Sequence, residues 1–208
     1  MSNADLQKAI SHYRSLAPRY DYFTRRINRV RQRAIAALDL QNGETVLDVG
    51  CGTGYCFEFI EQQIGQQGRL LAFEPSPDML AVARQRILQA GWGNVTLIEA
   101  SAESVVLPTK PDAVLFSYTH DIIRSRKALE ALFTQAKPGA RVAATSTKLF
   151  HKWLLPANAY LRFSHREYIT NFDGFEQPWN VLQEYLDGFH LDTHPFTQHY
   201  VATGRLKA

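Results

Sequence analysis

The sequence predicts an α/β fold: a doubly wound, mostly parallel seven-stranded sheet flanked by helices. Three observations predict it. Five short apolar runs recur between residues 46 and 146, most of them separated by helix-length amphipathic segments. The first run breaks into a glycine-rich loop, Gly50-Cys51-Gly52-Thr53-Gly54, that opens a helix. The tail from His190 to Leu206 reads as two more strands with a turn near Gln198.

In chain order, residues 1–40 read as an N-terminal helical cap outside the sheet. Val46–Val49 is the first strand and Tyr55–Ile64 the helix after it. Arg69–Phe73 is the second strand. Ser76 then offers an N-cap and Pro77 a first helical residue for Pro77–Gln89, which Gly91 and Asn94 punctuate. Val95–Glu99, Asp112–Ser117 and Arg141–Ser146 are strands three to five, with a helix over Lys127–Ala136 ended by Lys137-Pro138-Gly139. Between the fifth strand and the final pair, Lys148–Leu186 mixes aromatics such as Trp153, Tyr160, Phe163 and Trp179 with basic residues. That mixture predicts a helical lid, aromatic inside and basic outside, or else a surface subdomain that covers the sheet. The chain thus reads as one domain over 1–208, comprising the 1–40 cap, a 41–148 core, a 149–187 lid insertion and a 188–208 strand pair.

Composition agrees. With 208 residues, 45% of them hydrophobic, the chain can bury one sizeable core. It lacks an apolar run of about 18 residues, so no membrane-spanning helix is expected, and its N-terminus has no signal-peptide pattern. Two cysteines, one inside the loop and one just after it, read as reduced thiols and place the protein in the cytoplasm. The seven histidines are scattered, so no metal site is expected. A net charge of +3 without a basic-aromatic motif argues against nucleic acid. The oligomeric state stays open.

The loop is a cofactor loop. Bare backbone and a following helix N-terminus let a ligand lie directly on the main chain. Its spacing departs from the dinucleotide fingerprint: the third glycine comes one residue early, and Tyr55 stands where Gly or Ala should close the turn. Asp48 precedes the first glycine by two residues. An anion there repels a pyrophosphate and suits a ligand bearing an ammonium or sulfonium.

On these residues the chain resembles the class I S-adenosylmethionine-dependent methyltransferases. Val46-Leu47-Asp48-Val49-Gly50-Cys51-Gly52-Thr53-Gly54 is similar to their first motif, and Leu70-Leu71-Ala72-Phe73-Glu74 to their second. The resemblance covers roughly Glu44 to Lys148 and implies a Rossmann-like methyltransferase fold with S-adenosylmethionine as cofactor and S-adenosylhomocysteine as product. It implies cofactor contacts from Asp48, Gly50, Cys51, Gly52 and Gly54. Glu74 would accept both ribose hydroxyls, with Pro75 and Met79 beside it. In the family an Asp after the third strand holds the adenine. Here Ser101 stands there, with the Ala102 and Glu103 backbone to frame the ring. The carbonyl of Ser117 would meet the cofactor's amino group.

By the same resemblance, the residues after Ser117 would face the acceptor. His120 and Tyr118 are the candidate catalytic bases, with Asp121 as a possible orienter; alternatively, His120 caps the next helix or fills space. Tyr13 and Tyr20 lie in a segment resembling the quinone and phospholipid branch of these enzymes. They would cover the cofactor's methionyl end or flank a cationic substrate, which also makes Tyr20 a catalytic candidate, or else pack a helix on the domain. Arg25, Arg26, Arg29, Arg31 and Arg33 fall within nine residues. Arg25, Arg29 and Arg33 would line one helix face opposite an Ile27, Val30, Ala34 and Leu38 stripe. That face is either simply solvated or drawn to anionic lipid or an anionic substrate. The expected activity is methyl transfer to a small or lipid-like acceptor, foremost an amine nitrogen such as a phospholipid head group. The alternatives are O- or C-methylation of an aromatic or quinone-like metabolite, or an idle cofactor-binding or membrane-docking module.

Overall fold

A computed structural model describes residues 27–151, 153–165, 172 and 174–207. The elements run α1 (Asn28–Ala36), β1 (Thr45–Val49), α2 (Phe57–Ile64), β2 (Arg69–Glu74), α3 (Pro77–Ala90), β3 (Val95–Glu99), β4 (Ala113–Ser117), α4 (His120–Ile123), α5 (Arg126–Phe133), β5 (Arg141–Thr147), α6 (Leu155–His165), α7 (Asn180–Gln183), β6 (Leu186–Thr193) and β7 (His199–Leu206).

The strands form one seven-stranded sheet in the order β3-β2-β1-β4-β5-β7-β6. β1 to β5 pair in parallel, and β7 runs antiparallel between β5 and β6. The central strands read as unbroken apolar runs because both faces are covered. Leu47, Val49, Val114 and Phe116 pack on one side with α4, α5 and α7, while Val46, Leu70, Ala113 and Leu115 pack on the other with α1, α2 and α3. Phe57, Phe73 and Phe116 are fully buried, each worth roughly 1.5–3 kcal/mol of apolar transfer. The strand order reverses between β1 and β4. The carboxyl ends of these two strands therefore flank the crevice where ligands bind in such sheets.

Local structure follows from named residues. The Ser76 hydroxyl accepts the Met79 N–H at 3.4 Å with Pro77 at the first helical position, and Gly91 ends α3 at φ 71. Several boundaries differ from the sequence expectation. The helix predicted from Tyr55 begins at Phe57, because the Cys51–Gly54 turn runs on until the Phe57 N–H reaches the Gly54 carbonyl at 3.1 Å. Ser125 caps α5 by accepting the Ala128 N–H, so the helix predicted over Lys127–Ala136 spans Arg126–Phe133. β6 starts at Leu186, taking two residues from the expected lid.

The basic stripe also needs correcting. α1 buries Ala34, Ile35 and, just beyond it, Leu38, but Arg31 is only 4% exposed and turns inward, while Arg29 and Arg33 face out. Arg25 and Arg26 lie outside the described residues. In the lid, the expected polarity is partly inverted: Leu161 and Phe175 are buried, whereas Trp153, Leu155, Tyr160 and Phe163 stand at least 64% exposed. Among the described residues no helix is long and apolar enough to cross a membrane.

Candidate active site

The loop after β1 is shaped by what surrounds it. Gly50 and Gly52 both sit at positive φ, 59° and 56°. A Cβ on Gly50 would stand 2.8 Å from Thr119 Cγ2, so there the missing side chain permits close packing of the loop on the β4 exit. A Cβ on Gly52 would meet nothing within 4 Å, so there it leaves open space over the backbone. The Cys51 N–H donates to the Phe73 carbonyl at 3.0 Å and the Gly54 N–H to the Cys51 carbonyl at 3.0 Å, which ties the loop to the tip of β2.

Glu74 ends β2 beneath this loop. Its Oε2 accepts the Gly52 N–H at 3.1 Å and its Oε1 the Ser76 N–H at 3.0 Å. Burial pushes the carboxyl up to about 7 despite those two donors. Asp48 is 1% exposed and is likewise pushed up to about 7, by burial first, with Arg31 opposing and Glu74 adding to the rise. Its Oδ2 is buried without a hydrogen-bond partner among the described residues. A buried carboxylate oxygen of this kind needs a donor or a cation to offset its desolvation. Burial also raises the Cys51 thiol well above its usual range and Cys56 to about 12, so both free thiols stay protonated.

The remaining predicted residues divide. Pro75 and the buried Met79 flank Glu74 and its cap. In the loop after β3, the Ser101 hydroxyl pairs with Ser104 at 2.9 Å, and Ala102 packs its methyl into the core. The Glu103 carboxylate reaches Lys127 at 2.6 Å, which lowers its proton affinity. Of that triplet, the Ala102 side chain and the Glu103 carboxylate are thus already engaged with protein. The Ser117 hydroxyl oxygen is buried without a hydrogen-bond partner among the described residues. His120 packs on Phe175 of the lid, ring centroids 5.4 Å apart, with Nε2 3.5 Å from the Asp121 carboxylate. It starts α4, whose N-cap position is Thr119. Tyr13 and Tyr20 lie outside the described residues.

Two residues that sequence reasoning did not assign to the site join it. Arg31 places its guanidinium 5.0 Å from the Tyr55 ring centroid and 5.3 Å from that of Tyr118, bringing a buried cation to Asp48. His199, the first residue of β7, bonds the Tyr118 hydroxyl through Nδ1 at 3.1 Å. For Arg31 the signal was present, since it falls one residue after Val30 and four before Ile35 on the inward face. For His199 there was none, because the contact spans 81 positions. Among the described residues no cluster of His, Cys, Asp and Glu suits a metal ion.

Residues 46–139 match a family described as a methyltransferase domain. On these residues the chain carries a methyltransferase domain of the class I, S-adenosylmethionine-dependent kind. It is 26% identical to a demethylmenaquinone methyltransferase of Listeria monocytogenes serotype 4a (strain HCC23), the match covering 88% of this chain and 81% of the relative. It is 29% identical to the ubiquinone/menaquinone biosynthesis C-methyltransferase UbiE of Salmonella arizonae, over 67% of this chain and 58% of that one. In fold it superposes on the DhpI–SAH complex structure with a TM-score of 0.65 at 18% identity, covering 100% of this chain and 99% of that one. The methyltransferase takes S-adenosylmethionine as cofactor. The site fits that group on two counts of its own: the open backbone at Gly52, and the unpartnered Asp48 oxygen where a cation is wanted.

Proposed function

We propose that this methyltransferase methylates a ring carbon of an aromatic, quinone-like acceptor in its reduced, hydroxylated form. The observation that carries this reading is that curated relatives of the chain are named for quinone methylation, one of them for transfer to carbon. They favour the carbon acceptor over the amine nitrogen that the sequence put first.

In this reading Glu74 holds the ribose hydroxyls, and the Gly50–Gly54 backbone carries the cofactor's amino-acid end. Asp48 faces the ammonium and Arg31 the carboxylate of that end, a paired recognition of a zwitterion. The Ser117 carbonyl adds an acceptor. Ser101, with the backbone of Ala102 and Glu103, frames the adenine. When bound, the cofactor supplies an electrophilic methyl group. The chain's own residues then fix the acceptor carbon in line and exclude water, an orientation effect of roughly 7–11 kcal/mol in favourable systems. Tyr118 and His120, past the end of β4, face the acceptor.

We also assign the outward apolar face of α6 and the turn before it, with Trp153 82% exposed and Leu155 70% exposed, to contact with an anionic bilayer surface that holds a lipid-like acceptor. The backbone joins this face to the β6–β7 turn, where the His151 N–H donates to the Pro195 carbonyl at 3.3 Å and Phe196 is 68% exposed.

The test is transfer of a labelled methyl group to 1,4-dihydroxynaphthalene kept reduced, beside phosphatidylethanolamine as the amine acceptor. Label on the ring carbon of the naphthalene supports the reading. Label on the amine alone overturns it.

A further inference from the structure

We propose that Tyr118 and His199 form a two-residue proton relay that ionises the acceptor's hydroxyl, with Arg31 steadying the negative charge. The inference rests on the reduced, hydroxylated acceptor proposed above and assigns the proton chemistry that such an acceptor requires.

The geometry is built from two independently pinned backbones. Tyr118 lies one residue past β4 at φ 62°, a conformation uncommon outside glycine, and its N–H is anchored on the Thr145 carbonyl at 2.8 Å. His199 opposes Thr147 in the β5–β7 register, and its carbonyl accepts Thr193 Oγ1 at 3.3 Å and Thr197 Oγ1 at 3.2 Å. Between them, the Tyr118 hydroxyl and His199 Nδ1 stand 3.1 Å apart with the rings edge to face. The Arg31 guanidinium lies 5.3 Å from the Tyr118 ring centroid. A strained tyrosine, hydrogen-bonded to a histidine and backed by a buried cation at the ligand end of the sheet, has the parts of a base. His120 is tied instead to Asp121 and to Phe175 of the lid.

The chemistry asks for such a base. A diphenol's ring carbon becomes strongly nucleophilic when its hydroxyl ionises, and a phenol titrates near about 10. In the relay, the acceptor O–H bond breaks as a new O–H bond forms on Tyr118. Tyr118's own O–H breaks as an N–H forms on His199 Nδ1. The electron pair stays on the acceptor oxygen and delocalises to the ring carbon. Nothing is oxidised or reduced, and one acceptor anion is balanced by one imidazolium. Among the described residues, Arg31 from α1 lies against the Tyr118 ring and Tyr200 from β7 neighbours Tyr118, with Arg124 from α4 beside Tyr200. Burial and the neighbouring Tyr118 keep the Tyr200 hydroxyl protonated, so it does not compete for the proton.

The experiment uses the full chain with reduced 1,4-dihydroxynaphthalene and a ring-chlorinated analogue whose hydroxyl is more acidic. It follows kcat against pH and measures cofactor affinity by calorimetry. Tyr118→Phe and His199→Gln are expected to lower kcat about 100-fold on the parent acceptor and about tenfold or less on the acidic one. The pH limb of each variant should move to the acceptor's own ionisation while cofactor affinity holds. If Tyr118→Phe fails to fold, His199→Gln alone decides. Equal losses on both acceptors, or an unmoved pH limb, would overturn the relay and leave the carbon-methylation reading standing. If the wild-type protein methylates neither diphenol, that reading falls and takes the relay with it.

Discussion

Asp48 and Glu74 are carboxyls that bind protons more tightly in the folded chain, at about 7, than in the unfolded one, where such groups titrate near about 4. The folded state therefore holds extra protons between those values, and its stability falls as pH rises through that window. Asp112 has the opposite sign, because Lys137 at 2.6 Å helps outweigh its burial, and it titrates below the window. The cofactor-free protein should lose thermal stability from about pH 5 to about pH 7, a slope that Asp48→Asn flattens in calorimetric scans. Cofactor binding near neutral pH should release protons, visible as a buffer-dependent binding enthalpy, since a cation beside Asp48 favours its ionised form. The glycines separate function from folding in the same loop. Gly52→Ala adds a Cβ into open space at φ 56°, which should cost about 1–2 kcal/mol of stability but markedly weaken cofactor binding. Gly50→Ala drives a Cβ into Thr119 and should lower the melting temperature further than Gly52→Ala does. A larger loss of stability at position 52 than at 50 would contradict this division.

At the scale of elements, the β2–α3 unit presents its strand tip to the crevice because the helix that follows is started by a local signal. The Ser76 cap is one: it fixes the turn that points the Glu74 carboxyl at the Gly52 N–H. Ser76→Ala should cost about 1 kcal/mol in denaturant unfolding and weaken cofactor binding through the loosened Glu74, whereas Ser76→Asp should largely restore both. This cap was legible in the sequence because Ser-Pro before an apolar-periodic run is a local pattern. The start of α2 was less so: Tyr55 and Cys56 have no helix-breaking character, and only the Cys51–Gly54 turn holds them outside the helix. The polarity of α6 also escaped, because the aromatics of the lid carry no mark of which side is covered.

At the scale of the molecule, the crevice at the β1 and β4 ends and the exposed α6 face are linked through the β6–β7 turn, since His199 starts β7 and Phe196 lies in that turn. If the α6 face meets a bilayer, Trp153→Asp with Leu155→Asp should reduce pelleting with anionic vesicles while turnover of a water-soluble acceptor holds. Unchanged pelleting would remove the bilayer assignment. The amino-acid sequence by itself determined the succession of strands and helices in the core, the cofactor loop and the class of chemistry, because glycine spacing, caps and apolar periodicity act within a few residues of one another. Only the tertiary structure decided that Arg31 turns inward from an arginine run and that His199 meets Tyr118. Arg31 lies on the apolar stripe of its helix, but burial against the sheet decides that it turns in, and the His199 contact depends on strand pairing across 81 positions, which no local pattern encodes.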